Sequence, residues 1–302
     1  MTRKIMLSGG TGVIGRALTQ TLIREGAQVV LLIRRPAQHD ANAGVTEVEW
    51  HPESPSPIGD PAPLEGCSAA VHLSGANVAD HRWTPSYKRT ILASRVDSSH
   101  ALKKILGALR APPPVVVAAS ATGYYGDRGN EVLTEASGPG TGFLAEVCQA
   151  WEAATSPLAA RVVQLRFSVV LTSRGGAFRK LLPAFRLGLG GQLGNGRQWM
   201  SWVSLEDAVG AIQFAIAEPS LSGPCNTTSP FPVTNAEFTH KLGRLLHRPT
   251  FLRVPSFALQ AAFGEMALET VLASTRALPE RLHAAGFQFS HERLEQAMGE
   301  MV

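Results

Sequence analysis

The chain is poor in cysteine, in aromatic residues and in clustered charge. Only three cysteines occur in 302 residues, Cys67, Cys148 and Cys225. They are widely spaced, odd in number and without Cys-x-x-Cys or Cys/His ligand spacing, so neither a disulfide framework nor a metal site is expected. Charged residues make up 17% and the net charge is +4, but no run of Lys and Arg is longer than two. A nucleic-acid surface would need that charge gathered on one face, so no nucleic-acid partner is expected. No apolar stretch reaches the roughly 20 residues that span a bilayer, which argues against a membrane role. The glycine-rich segment starts too soon after Met1 for a signal peptide. Together these absences predict a soluble, cytoplasmic protein with reduced thiols.

What the chain does have is apolar residues, at 44%, in the alternating pattern of an α/β protein. Ile5–Leu7 reads as a short strand, Val13 to Arg24 as an amphipathic helix closed by Gly26, and Val29–Ile33 as a strand covered on both faces. Further strands are expected at Val45–Trp50, Ala69–Leu73, Val115–Ala119 and Val162–Arg166, with helices near Ser86 to Leu109 and Ala145 to Thr155. A proline-rich surface loop, Pro52 to Pro63, separates the third and fourth strands. This alternation predicts a doubly wound parallel sheet with right-handed crossovers. The expected division is a dinucleotide-binding domain over 1–170, its sheet completed by part of 195–228, and a small C-terminal lobe over 171–302. Within the lobe, Phe257–Leu272, with Glu265 and Glu269, reads as one amphipathic helix.

Ser8-Gly9-Gly10-Thr11-Gly12-Val13-Ile14-Gly15 fits G-x-x-G-x-x-G through Gly9, Gly12 and Gly15, and G-x-G-x-x-G through Gly10, Gly12 and Gly15. One glycine permits the turn, one lets the backbone approach a pyrophosphate, and one lets helix pack closely on strand. The helix N-terminus then offers free N–H groups and positive potential to the phosphates. Coming after a strand and opening a helix, the motif predicts an NAD(P)-binding Rossmann fold. An NAD site commonly ends its second strand in Asp or Glu; here Ile33-Arg34-Arg35-Pro36 stands there. Arg34 is either a surface residue or the partner of a 2′-phosphate, and NADP is the cofactor expected.

The glycine motif, Val71-His72-Leu73-Ser74-Gly75-Ala76 and Ser120-Ala121-Thr122-Gly123-Tyr124-Tyr125-Gly126 together resemble the extended short-chain dehydrogenase/reductase superfamily, as does Trp202-Val203-Ser204-Leu205-Glu206-Asp207. Arg82-Trp83-Thr84, Ser94-Arg95, Gly142-Phe143, Trp151-Glu152, Pro183 to Gly191, Thr234 to Phe238 and Leu278 to Leu282 are similar to an atypical branch. That branch comprises bacterial epimerase/dehydratase-like proteins with a C-terminal domain of unknown function. The resemblance implies NADP (NADPH) held by Gly9, Gly10, Thr11, Gly12, Val13, Ile14, Ile33, Arg34, Leu73, Ser74, Gly75 and Arg95.

Typical superfamily members set Ser or Thr, Tyr and Lys around the nicotinamide, the last two as Tyr-x-x-x-Lys, and the tyrosine works as acid or base. In this chain the serine position falls on Ala121, the tyrosine position on Phe143 or Leu144, and the lysine position on Val147 or Cys148. The remaining candidates for catalysis are Tyr124, Glu146, Ser120 and Thr122. Each has a plainer role available: cofactor packing for Tyr124, a solvated helix carboxylate for Glu146, helix capping for the two hydroxyls. Trp83, Arg166, Trp199 and Trp202 are candidate substrate residues, the tryptophans doubling as lobe packing. His72, inside an apolar strand, reads as a core histidine. The expected function is an NADP-dependent oxidoreductase or epimerase acting on a small polar molecule by hydride transfer, with a homodimer as a candidate assembly. The alternative is a non-catalytic NADP(H)-binding sensor or interaction protein that lacks the Ser-Tyr-Lys machinery.

Overall fold

A computed structural model describes residues 3–35, 44–156 and 158–301; Pro36 lies outside them. Seven strands form one sheet: β1 (Lys4–Ser8), β2 (Gln28–Ile33), β3 (Val45–Glu49), β4 (Ala69–His72), β5 (Val115–Ala121), β6 (Arg161–Phe167) and β7 (Gly223–Thr227). Their order across the sheet is β7-β6-β5-β4-β1-β2-β3, and every pairing is parallel. Strands buried on both faces carry continuous Val, Ile, Leu and Ala rather than an alternating pattern. Strand β2 shows this: Val29 to Ile33 are all buried. The chain order reverses between β1 and β4, where Ser8 lies beside Leu32 on one side and His72 on the other. In doubly wound sheets the crevice beyond the strand ends at such a reversal is where ligands bind.

Helices α1 (Val13–Arg24) and α5 (Leu205–Ala217) cover one face, and α2 (Pro85–Ala108) contributes Ala101, Leu102, Ile105 and Leu106 to the core on the other. Leu18 and Leu22 of α1 are fully buried against β1 and β2, each stabilising by roughly 1.5–3 kcal/mol relative to exposure. Gly26, at φ +77°, closes α1 in the left-handed conformation expected of a glycine in that place. His72 is fully buried: Nδ1 meets Ser8 Oγ at 2.7 Å and Nε2 meets Ser99 Oγ at 3.2 Å. Burial pushes its pKa down to about 4.

Past β6 a separate apolar cluster forms a lobe, built from Leu171, Phe178, Leu182, Phe185, Trp202, Val233, Phe238, Leu242 and Leu294. It draws on α4 (Gly176–Arg186) and α6 (Asn235–Leu245). The helix expected over Phe257–Leu272 is two pieces, α7 (Ser256–Phe263) and α8 (Glu265–Glu269). Gly264 between them sits at φ +64°, outside helical geometry, and breaks an amphipathic pattern that otherwise runs on. Among the described residues no helix is long and apolar enough to cross a membrane.

Candidate dinucleotide site and adjoining cleft

Steric demand explains the glycines after β1. Gly9 adopts φ +75°, and a Cβ there would lie 2.6 Å from the Leu73 carbonyl. A Cβ on Gly15 would lie 2.3 Å from the Gly9 oxygen, inside any tolerable contact. A Cβ on Gly10 would instead meet the flexible end of Leu31. The geometry therefore favours the Gly9, Gly12, Gly15 reading of the motif. Gly12 is the N-cap of α1; it offers no side-chain cap, and the first turn holds no acidic residue. By contrast, Thr84, Ser204 and Thr234 cap α2, α5 and α6 with side-chain oxygens. The unsatisfied N–H groups and positive potential at the start of α1 suit an anion. Thr11 and Gly12 are exposed there, and Val13 approaches the backbone of Gly175.

Arg34 stands exposed just past β2, on the same sheet edge as Gly9 and Leu73. Leu73, Ser74 and Gly75 continue from β4 across the reversal point, and the Arg95 side chain crosses Gly75. The Arg95 Nη1 donates to the carbonyls of Ala76 (3.1 Å) and Ile91 (2.9 Å), and its guanidinium lies 4.9 Å from the Trp151 ring centroid. Burial lowers its pKa, while Cys148 and Tyr87 act the other way. Among the described residues no ion pair joins Arg95 to a carboxylate.

Beside this cradle, the cleft end of β5 and β6 is held by a buried polar network. Arg166 donates from Nε and Nη2 to both oxygens of Glu152 (2.7 and 2.8 Å), and from Nη1 to the Tyr125 hydroxyl (2.9 Å). Ser120 Oγ donates to Glu152 Oε1 at 2.6 Å, and Tyr125 Oη is 2.7 Å from Asn226 Oδ1. Burial acts to lower the Arg166 pKa, but hydrogen bonds and charge from Glu152 outweigh it and raise it. The Tyr125 phenol is pushed up by its own burial. Tyr124 stacks its ring face on the Arg166 guanidinium at 3.5 Å.

The other candidates take the following places. Arg166, expected at the cleft as a substrate residue, is instead buried and ion-paired. Trp202 is fully enclosed, its Nε1 donating to Phe231 O. Glu146 is exposed in the first turn of α3 (Phe143–Thr155), the solvated alternative, where its charge suits the helix dipole. Trp83 packs edge-on against Phe143 with its Nε1 on the Val78 carbonyl. Trp199 donates from Nε1 to Asn130. Asn130, with Asp127, Arg197, Gln198 and Gln260, lines a polar cavity of about 360 Å³. Ser120 serves Glu152, and Thr122 lies buried in the turn after β5.

Of Val147 and Cys148, the two residues at the position of the usual lysine, Cys148 has a thiol that burial pushes up to about 12, so neither is a cation. Glu152, Asn226 and Glu269 carry structural roles at the site that the sequence did not assign to them. A signal existed for Glu152: it shares the inward stripe of α3 with Ala145, Cys148 and Thr155, where a carboxylate needs a partner. Glu269, carried by α8, accepts the Phe143 and Leu144 N–H groups (2.9 and 2.7 Å) and so caps α3 from the lobe. No local pattern announces a contact across 125 residues.

The model of the NAD dependent epimerase/dehydratase family matches residues 5–227, and that of a domain of unknown function, DUF1731, matches residues 254–301. The chain belongs to the NAD dependent epimerase/dehydratase family. An epimerase family protein of Mycobacterium bovis is 45% identical over 98% of this chain and 96% of its own length. The human epimerase family protein SDR39U1, solved with NADPH, is 32% identical with a TM-score of 0.89, covering 99% of this chain and 98% of that one. MoeE5, solved with UDP-glucuronic acid and NAD, is 19% identical with a TM-score of 0.76 over 99% of this chain and 97% of that one, and shares the fold.

Proposed function

We propose that the chain binds NADPH at the β1/β4 reversal and acts as an oxidoreductase or epimerase-type enzyme on a small polar substrate. The observation that carries this reading is the uncapped, acid-free start of α1 behind the Gly9–Gly15 turn, with Arg34 on the same sheet edge. Gly9, Gly12 and the first turn of α1 would receive the pyrophosphate, and Arg34 the 2′-phosphate. Leu73, Ser74, Gly75 and Arg95 would flank the bound dinucleotide. The relative solved with NADPH supports the choice of cofactor. When bound, the nicotinamide supplies hydride chemistry, and the protein supplies position and electrostatics.

The chain's own contribution is a rigid wall: Glu152, Arg166 and Tyr125 lock the ends of β5 and β6, and Arg166 fixes the Tyr124 ring. Tyr124, half-buried and stacked on this wall, is the residue assigned the proton exchange with substrate. The polar cavity beside Asp127 and Arg197 supports a hydroxylated or charged substrate rather than an apolar one. A second reading, an NADPH-binding protein without catalysis, draws on a specific observation: the lysine position falls on Val147 or Cys148, and burial keeps the Cys148 thiol neutral. Loss of reduced-nicotinamide absorbance over a panel of polar carbonyl compounds, with NMR detection of epimerised product where the cofactor is regenerated, separates the two. Turnover that Tyr124→Phe slows supports the enzyme. Tight NADPH binding with no turnover of any compound supports the second reading.

A further inference from the structure

On the flank of the sheet covered by α1 and α5, Glu206 is brought together with His291 and Glu300 of the C-terminal segment. One donor atom from each lies within 4.8 Å of the others. They border a cavity of about 540 Å³ reached from solvent, separate from the glycine turn, which Arg24 and Arg174 also line. Three carboxylates, those of Glu206, Asp207 and Glu300, lie within 4.0 Å of one imidazole, and among the described residues no arginine or lysine pairs with Glu206 or Glu300.

The hydrogen bonds around His291 assign its protons. Ser204 Oγ accepts the Asp207 N–H at 2.9 Å and donates its only proton to Asp207 Oδ2 at 2.8 Å. The Asp207 carboxylate is also bound by the N–H groups of Ser290 and His291, which hold it as an acceptor. His291 Nδ1, 3.2 Å from Ser204 Oγ, must therefore carry a hydrogen and donate it. Nε2, on the far side of the ring, faces Glu300 Oε1 at 3.1 Å. That contact is satisfied by a cation shared by the two groups, either a proton on Nε2 or a metal ion ligated by both.

We propose that Glu206, His291 and Glu300 form a binding site for a divalent transition cation, with His291 Nε2 as the nitrogen ligand. Imidazole with carboxylates suits zinc, and water completes the shell where a protein supplies three ligands. The Nδ1–H to Ser204 contact, backed by Asp207, is the outer-shell hydrogen bond that sets the tautomer of ligating histidines. Glu206 opens α5, His291 follows β7 and the lobe, and Glu300 closes the last helix, so the ion fastens the C-terminal segment to α5. Residues 206, 291 and 300 show no ligand spacing in the sequence, which is why none was expected there.

Calorimetric titration of the full-length, chelator-treated protein with zinc chloride tests this, with NADPH titration run in parallel to report the intact fold. Wild type is expected to bind one zinc per chain and to melt at a higher temperature with zinc present. Glu206→Gln and Glu300→Gln, both exposed side chains, are expected to raise the zinc dissociation constant at least about tenfold with NADPH binding unchanged. His291→Ala is expected to abolish saturation. Absence of stoichiometric zinc binding overturns the proposal, as does wild-type affinity in both glutamine variants. So does a His291 that only takes up a proton against Glu300, seen as an imidazole titration by NMR with no response to zinc.

Discussion

Arg166 and Glu152 form a two-pronged ion pair, Nε to Oε1 at 2.7 Å and Nη2 to Oε2 at 2.8 Å, between the end of β6 and the inner face of α3. The arginine is only 2% exposed. Removing one partner of such a pair strands a buried charge, which costs about 3–5 kcal/mol, whereas replacing both can be nearly neutral. Glu152→Ala is therefore expected to lower the unfolding free energy by about that much in urea, and Glu152→Ala with Arg166→Met by much less. A single-variant loss below about 1 kcal/mol would match an exposed pair and contradict the buried one.

His72 gives the fold a pH dependence. Its folded-state pKa is about 4 against an ordinary 6.5, because the neutral ring is sealed among Ser8, Ser98 and Ser99. Between those values the unfolded chain takes up a proton that the folded chain refuses, so stability falls as pH drops from about 6.5 toward 4. Each pH unit across that window is worth about 1.4 kcal/mol, so the full loss is on the order of 3 kcal/mol. Urea midpoints measured across that window for wild type and His72→Asn should show the slope flattening in the variant. An equal slope in both would assign the effect to other groups.

Glu269 ties the lobe to α3 through the Phe143 and Leu144 N–H groups. Glu269→Ala should cost about 1 kcal/mol, the ordinary worth of an N-cap. It should also speed hydrogen exchange at those two amides while leaving the centre of β5 protected. Unchanged exchange at Phe143 and Leu144 would mean that the cap is not formed in solution.

What the sequence reveals depends on how local the cause is. Val29–Ile33 is legible as a strand because burial on both faces demands an unbroken apolar run, and Gly9–Gly15 because close backbone approach demands glycine. Phe257–Leu272 misleads because apolar periodicity continues through Gly264, and only the backbone angle there reveals the break. Arg166 is read as a cleft residue because its strand end is local information, whereas its partner Glu152 lies on another element. Glu146 and Glu152 differ by the face of one helix: the first is solvated, the second sits on the buried stripe. The capping of α3 by Glu269 and the grouping of Glu206, His291 and Glu300 arise only from tertiary packing.

The dinucleotide cradle stands or falls on whether Arg34 selects for the 2′-phosphate. Separate titrations with NADPH and NADH, in wild type and Arg34→Ala, decide it. Tight NADPH binding is expected, with much weaker NADH binding and loss of most of that difference in Arg34→Ala. A charge-assisted contact is worth about 1.5–3 kcal/mol, or roughly ten- to a hundredfold in affinity. Equal affinity for the two dinucleotides, or binding of neither, would contradict the cradle.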